Sequence, residues 1–431
     1  MTDGNLAADA ADSGPATDAD PGDAATASPA GRSPDRSLAD LLAATLEYSR
    51  ARDYTGWDYF DGMSSRVRRW LPGENKWVNI AIQETIKRAP VNIRPLMLVE
   101  QRRNFMGAAL FTISNLTAFD VLGDDQYRRE AIQLVDWLAD NQTRGYAGFC
   151  GGHQHATQDL NARRPPRTPD IVSTGYAVRA LLAASRFDDD YGEIADTAQS
   201  FVFRDLNYRE TDGGARIDYH IVADGDDPVV LNANALGARL LLDLHERTPR
   251  SRLRERAERI LDYVVGEQAD LGGWTYTDPP DGSHLSMDNH HNGFIVESLL
   301  RHREVTGSDR YADASDRALS FYRSTLFEET GAPNWDERNR FPRDIHAAAQ
   351  GIITFSRAGD LAFARRILAW ACNNLYAGDG RFYYQKRQLY TKRFTLMRWC
   401  QGWMAFAIAT LLRAERDQHG RDDCRTNHSN D

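Results

Sequence analysis

Three histidines and an aspartate, set in two separated stretches, have the chemistry to move protons. The stretch Leu271 to Glu297, LGGWTYTDPPDGSHLSMDNHHNGFIVE, places Asp288, Asn289, His290, His291 and Asn292 just before an apolar run that opens with Gly293. A second stretch sets Asp344 and His346 ahead of another apolar run. Imidazole titrates near neutrality, so it can remove a proton from a sugar carbon and return it. His290 or His291 together with His346 is read as the acid/base set. Asp288 is read as the carboxylate that orients a histidine or a sugar hydroxyl. Each position has a plainer alternative: one of the adjacent histidines can serve packing, and an aspartate before a helix can be an N-cap. Asp170 and Asp344 suit the cap role.

The residues that could hold a substrate are arginines and aromatics. Lys386, Arg387, Lys392, Arg393 and Arg398 crowd one segment, Arg338, Arg340 and Arg343 another, and Arg102 and Arg103 precede an apolar helix. Guanidinium forks bind carboxylate or phosphate through two parallel hydrogen bonds. Arg343, Lys386 and Arg398 are expected to hold a sugar carboxylate, with Arg103 at the rim. Trp274, Trp335 and Tyr384 are the aromatics expected to stack on a sugar, and Asn292 and Asp336 complete the binding set. Asp288 and Asp336 could instead be the two separated carboxylates of an inverting glycosidase. His153, His155 and Asp159 (HQHATQD) have metal-like spacing but no evident third ligand nearby, and read as a polar lid loop rather than a metal centre. FDDDYGE (187–193) reads as the capped start of an outer helix. No G-x-G-x-x-G follows a strand and no P-loop occurs, so no cofactor is expected.

Composition bounds the class. The chain has 431 residues, 42% hydrophobic and 26% charged, with a net charge of −10 and only four lysines among 52 basic residues. These are globular values, and the acidic balance without a basic tract argues against nucleic-acid partners. Cys150, Cys372, Cys400 and Cys424 show neither disulfide-scaffold nor zinc spacing, as in a cytoplasmic protein. No signal segment and no run of about 18 apolar residues is evident. Residues 1–35 are small and acidic and read as a disordered arm; residues 36–416 form one domain, and 417–431 a flexible tail.

Helical periodicity dominates between these ends. One set of segments is small-residue-rich and apolar nearly all round: Asn104–Phe119, Ser173–Phe187, Asn232–His245, Asn292–Val305, His346–Arg357 and Met397–Leu412. Alternating with them are amphipathic segments with charged faces: Ser37–Arg52, Tyr127–Asn141, Ile194–Asp205, Leu253–Glu267, Ala312–Leu326 and Leu361–Leu375. Short aromatic strands are expected at Gly56-Trp57, Gly148-Phe149, Gly213-Gly214, Gly272 to Trp274, Asn334-Trp335 and Gly380 to Phe382, and residues 62–100 form an oversized first connection. Six repeats of outer helix, strand and inner helix predict an all-α fold, an (α/α)6 toroid with short strands in the loops at its mouth. The inner helices point their N-termini at that mouth, which is what would bring His290, His291, His346 and Arg398 together.

The six hairpins resemble the six-hairpin glycosidase and sugar-epimerase toroids. More closely, VNIRPLMLVEQRRNFMGAALF (91–111), TPDIVSTGYAVRALL (168–182), SMDNHHNGFIVESLL (286–300) and FTLMRWCQGWMAFA (394–407) resemble the archaeal glycosylation protein Q family of haloarchaeal N-glycan assembly. The resemblance covers roughly residues 37–416. It implies a cytoplasmic factor, peripheral to a membrane glycosylation complex, needed for a hexuronic acid to appear in the S-layer glycan. It further implies an isomerase or epimerase acting on an acidic sugar, free or carried on a nucleotide or lipid phosphate. Toroid epimerases use two histidines as base and acid, a role that falls here on His290 or His291 and His346. The alternatives are an inverting glycoside hydrolase on an acidic oligosaccharide and a non-catalytic glycan-binding subunit.

Overall fold

A computed structural model describes residues 37–70, 75–160, 162–221 and 228–428. The acidic arm expected over 1–35 lies outside the described residues. In chain order the helices are α1 (Leu38–Arg50), α2 (Arg66–Trp70), α3 (Lys76–Arg88), α4 (Phe105–Leu122), α5 (Asp125–Asp140), α6 (Ile171–Ala184) and α7 (Asp189–Ser200). They continue with α8 (Leu231–Arg247), α9 (Ser251–Gly266), α10 (Asn289–Thr306), α11 (Ala312–Thr325), α12 (Ile345–Ala358), α13 (Leu361–Leu375) and α14 (Trp403–His428). Helices α4, α6, α8, α10, α12 and α14 pack side to side in that order, and α14 returns to α4, so the ring closes. Helices α5, α7, α9, α11 and α13 each lie outside the inner helix that precedes them, and α1 lies against α14 and α4. This is the (α/α)6 toroid.

The two rings differ in what they bury. The outer helix α9 buries Leu253, Ala257, Ile260, Leu261 and Val264, one stripe at helical spacing, while its arginines and glutamates face out. The inner helix α4 is buried on nearly every side, from Phe105 through Ala118. By length and hydropathy, α4 is the one described helix that could cross a membrane, contrary to the sequence expectation of no such run. Most of it is buried in the inner ring, as the core helix of a large toroid is.

Four inner helices start on a side-chain cap. Asn104 accepts from Gly107 N at 3.1 Å, Asp170 from Ser173 N at 2.7 Å, Asp288 from His291 N at 3.2 Å and Asp344 from His346 N at 2.8 Å. The sixth inner helix begins differently, with a wide π-helical turn over Met397–Gly402 that carries Arg398 and Trp399. That helix also runs on to His428, past the boundary at 416 read from the sequence.

The expected strands are shorter and partly elsewhere. Gly148-Phe149, Gly272 to Trp274 and Asn334-Trp335 form no paired strand. Two-residue strands instead stitch neighbouring loops: Val229–Val230 pairs with Thr277–Asp278, and Arg343–Asp344 with Gln385–Lys386, which also pairs with Thr391–Lys392. Backbone pairing here serves to join loop to loop, so its place depends on the partner loop rather than on local aromatic content. Gly380 adopts φ +85, and a Cβ there would lie 2.1 Å from the carbonyl oxygen of Ala44 on α1, so the turn needs glycine.

The long first connection carries α2 and α3 and ties the mouth together. Asn79 and Gln83 of α3 are buried and donate to Gln158 Oε1 and O at 3.2 and 3.1 Å. Lys392 donates to the last carbonyls of α3, Lys87 O and Arg88 O, both at 3.1 Å. Lys392 therefore caps a helix and is not free to meet a ligand.

Candidate active site

The N-terminus of α10 carries a carboxylate with two tasks. Asp288 Oδ1 caps the helix, and Oδ2 lies 2.7 Å from Nδ1 of His291. With Nδ1–H donated to Asp288, the ring lone pair of His291 sits on Nε2, the tautomer a general base requires. His290 turns its own Nδ1 toward Asp288 Oδ1 at 3.4 Å. The His290 ring centre is 4.0 Å from that of His291 and 4.6 Å from that of His346, so the three imidazoles form one chain across two helix N-termini. His346 stacks on Trp403 at 4.3 Å and meets Trp399 edge-on at 4.5 Å. Tyr276 closes the other side, 4.6 Å from His291.

Burial holds His290 and His346 in the neutral form. Neither ring nitrogen of His346 has a hydrogen-bond partner among the described residues, although the residue is 3% exposed. A buried polar ring left unpaired costs about 1–3 kcal/mol, which a fold tolerates where a ligand completes it. Burial, then His291, lowers His290 to about 3 against the pull of Asp288. Burial, then His290 and Arg398, holds His346 well below the ordinary imidazole value. Burial raises Asp288, but His291 and His290 outweigh it and its carboxyl lies below the usual range.

A second group lines the mouth from the first two loops. Arg398 donates through Nε and Nη2 to Asp58 Oδ2 and Oδ1 at 2.9 and 2.7 Å, with both residues buried. Asn104 Nδ2 donates to Asp58 Oδ2 at 2.6 Å and lies 3.2 Å from His153 Nδ1. Burial alone raises Asp58, and the Arg398 guanidinium overrides it, bringing the carboxyl down to about 2. His153 and His155, expected in a polar lid, are enclosed, and burial lowers them to about 3 and 4. Asp170 does cap α6 as expected, yet its Oδ2 is buried without a partner among the described residues and burial raises the carboxyl to about 6. The sequence placed His153 in a polar loop and Asp170 at a helix start. Nothing local told Asp58 that its partner lies 340 residues away, in the last inner helix.

Other residues expected to bind substrate fall elsewhere. Trp274 is 1% exposed and its indole donates to Val264 O at 2.6 Å, so it is core between hairpins. Asn292 holds that same loop, accepting from Trp274 N at 2.8 Å and donating to Trp274 O at 3.0 Å. Asp336 turns its own loop, accepting from the backbone of Arg338 and Asn339 at 2.8 and 2.6 Å. Trp335 is half-buried, and its carbonyl accepts from Asn289 N at 3.1 Å. Arg343 is paired with Glu328, Lys386 donates to Asn374 Oδ1 at 2.6 Å on α13, and Arg103 is paired with Asp53. Tyr384 is 4% exposed, 5.5 Å from Phe394 and 6.2 Å from Tyr59. Trp399, which stacks on Tyr59 at 4.3 Å and donates to Asp344 Oδ1 at 2.8 Å, reaches His290 and His346 and joins Trp403 beside them. The structure thus brings together His290, His291, His346, Asp288 and Arg398, and leaves the remaining binding candidates in supporting contacts.

Asp288, His290 and His291 are also the described group whose ligand atoms come close enough to share a metal ion, all within 4.8 Å. The 2.7 Å contact between Asp288 and His291 is a hydrogen bond, so an ion would have to displace it.

Burial of so many imidazoles predicts acid lability. His153, His155, His220, His290 and His346 are all held below 6.5, with burial the first cause in each. The unfolded chain binds protons at these sites first, so their contribution is complete above pH 6.5 and is lost as pH falls toward the folded values. Asp61, Asp170 and Asp344, raised to about 6 by burial, and Glu267, also raised by burial, act in the opposite sense as pH falls below 6, but His302, lowered by burial, joins the five histidines, and four groups do not cancel six. Stability is expected to fall by about 2–3 kcal/mol per pH unit between pH 6 and 5. Thermal melts at pH 7, 6 and 5 check this; a constant midpoint would contradict it.

No family model matches the chain, and no curated protein matches it by sequence. Solved structures match it by fold. Cellobiose 2-epimerase from Bacillus thermoamylovorans superposes with a TM-score of 0.56 over 72% of this chain and 88% of that one, at 11% identity. Unsaturated glucuronyl hydrolase from Bacillus sp. GL1 gives 0.56 over 88% of this chain and 96% of that one, at 14% identity. A D-mannose isomerase gives 0.55 over 72% and 87%, at 11% identity. The chain therefore has the (α/α)6 toroid fold found in six-hairpin glycosidases and in sugar epimerases and isomerases.

Proposed function

We propose that this chain is a sugar isomerase or epimerase that moves a proton at a carbon of an acidic sugar. The observation that carries the reading is the Asp288–His291 dyad set beside His290 and the unpartnered His346 at one end of the ring. His291 Nε2 takes the proton from the carbon next to the sugar carbonyl. The freed electron pair forms the carbon–carbon double bond of an enediol, and the carbonyl oxygen takes the N–H proton of a second, neutral imidazole, His290 or His346. Return of a proton to the former carbonyl carbon, as the neighbouring hydroxyl gives its proton to the second imidazole, leaves the isomer; return to the other face of the original carbon, as the first oxygen gives its proton back to that imidazole, leaves the epimer. Trp399 supplies an aromatic edge beside the reacting groups. Arg398, paired with Asp58, places a guanidinium whose charge reaches His290 and His346.

The fold shared with a cellobiose 2-epimerase and a D-mannose isomerase supports this reading. So does the resemblance to the haloarchaeal glycosylation family, from which a hexuronate substrate, a role in N-glycan assembly and a cytoplasmic place beside a membrane complex are proposed. A second reading, an inverting hydrolase, is favoured by Asp170. Its buried carboxyl, raised to about 6 and free at Oδ2, suits a general acid, and the fold is also that of a glucuronyl hydrolase.

Incubating the protein with hexuronates in heavy water and following the product by NMR separates the two. Deuterium at a sugar carbon is expected. New reducing ends from oligouronides without carbon-bound deuterium would sink the isomerase reading in favour of hydrolysis. Deletion of the gene, followed by mass spectrometry of lipid-linked and protein-linked glycans, tests the pathway: the hexuronate is expected to be missing or unconverted.

A further inference from the structure

The long first connection breaks the usual rule of burial. Helix α3 turns Asn79, Gln83 and Ile86 inward, while Trp77 and Val78 face solvent at 63% and 37% exposure. Trp70, at the end of α2, is 72% exposed, and Leu96 and Leu98 are exposed in the same connection. Single exposed apolar side chains are ordinary, but large ones gathered on one face mark a binding surface. Nine of the fourteen large hydrophobic residues exposed among the described ones lie within 66–98, at Leu160, or at Leu389 and Tyr390, so this is a face and not scatter.

Hydrogen bonds join these segments. Lys76 Nζ donates to Leu160 O at 3.0 Å, which ties the start of α3 to the second loop. Lys392 donates to Lys87 O and Arg88 O, so the turn that carries Leu389 and Tyr390 lies by the other end of α3. Arg66 N donates to Leu98 O at 3.1 Å and ties α2 to the end of the connection. The face belongs to the mouth side of the ring. Lys87 Nζ is 5.3 Å from the centre of Tyr59, the ring that stacks on Trp399 beside His346.

Charge on this face is opposite in sign to that of the chain. Residues 62–100 hold seven basic and three acidic residues, in a chain of net charge −10. Arg66, Arg69 and Arg102 share Glu100, and Lys87 and Arg88 share Glu84, so each of these carboxylates is outnumbered. Tryptophan interspersed with arginine and lysine suits a bilayer interface, where the indole sits at headgroup depth and the cations meet lipid phosphates. A second copy fits less well, because twofold contact through one face sets the positive excess against itself. We propose that this face docks on an anionic lipid bilayer, with Trp70, Trp77 and Leu96 entering the headgroup region. Docking needs no partner protein, which goes beyond the place beside a membrane complex proposed above. It stands on the surface alone and does not rest on the isomerase reading.

The test is flotation of the full chain with vesicles of phosphatidylglycerol or of phosphatidylcholine, with no sugar present, so a failed isomerase reading leaves the outcome untouched. Binding to phosphatidylglycerol is expected, much weaker on phosphatidylcholine and falling as salt rises. Trp77→Ser is expected to weaken it by roughly tenfold. The pair Arg66→Ala, Lys76→Ala is expected to weaken it by roughly tenfold to thirtyfold. Leu122→Ser, at the far end of α4, is expected to leave it unchanged. All four side chains are exposed, so none of these changes removes core packing. No binding to phosphatidylglycerol, equal binding to both vesicles, or equal binding by wild type and the variants of the face would overturn the proposal. So would a dimer, seen by sedimentation, that Trp77→Ser dissociates, since the face would then belong to a second copy.

Discussion

Alanine at His291 or His346 is expected to lower turnover on the true sugar by about 10²–10⁴-fold, the usual worth of a positioned general acid or base. The sharper prediction concerns what happens to stability. His346 is wedged against Trp403 and Trp399 with both ring nitrogens buried and unpaired, so it is a poor residue for the fold. His346→Leu fills a similar volume without the desolvated nitrogens and is expected to raise the melting midpoint while abolishing activity. A residue kept only for packing would show the reverse, lower stability with activity intact. Asp288→Asn is expected to remove about 10²–10⁴ of the rate as well, since an amide does not fix the Nδ1–H tautomer of His291 as the carboxylate does. Turnover and melting measured on the same preparations decide the point.

The second large effect lies beside that site. Arg398→Met is expected to destabilise the protein by about 3–5 kcal/mol, because Asp58 would be left ionised or forced to take a proton in a buried position. Asp58 also accepts from Asn104, the cap of the first inner helix, so the loss reaches the seam where the last helix of the ring meets the first. The double variant Asp58→Asn, Arg398→Met removes both charges and is expected to recover much of the loss, a coupling readable in a urea-denaturation cycle. Additive single losses would mean that the pair is not the cause. Because Arg398 acts on His290 and His346 through its charge, the single variant should also raise both imidazoles. That would move the acid limb of the rate profile to higher pH.

Much of this architecture is written locally. An amphipathic stripe such as Leu253, Ala257, Ile260, Leu261 and Val264 is set by the 3.6-residue repeat alone, and α13 starts and ends where that repeat places it. Caps are equally local: Asp170, Asp288 and Asp344 each bond a backbone N–H two or three residues ahead. Side chains that need a distant partner are different. Trp274 and Trp399 are both tryptophans of the stretches that run from an outer to an inner helix. One is sealed into the core by Val264, and the other is carried to the histidines by the π-helical turn at Met397–Gly402. The basic residues divide in the same way. Arg343, Lys386 and Lys392 find partners in Glu328, Asn374 and the end of α3, while Arg398 meets Asp58 beside the imidazoles.

The sequence by itself determined the alternation of buried and half-buried helices, their caps, and the placement of His290, His291 and His346 at helix N-termini, because each of these depends on residues within a turn or two. Tertiary structure alone decided which charges are spent on one another. Hydrophobic closure of the ring brings Asp58 to Arg398 and gathers Arg179, Arg239 and Arg357 around Glu297. Coulomb and hydrogen-bond energies depend on distances in space, to which separation along the chain gives no guide.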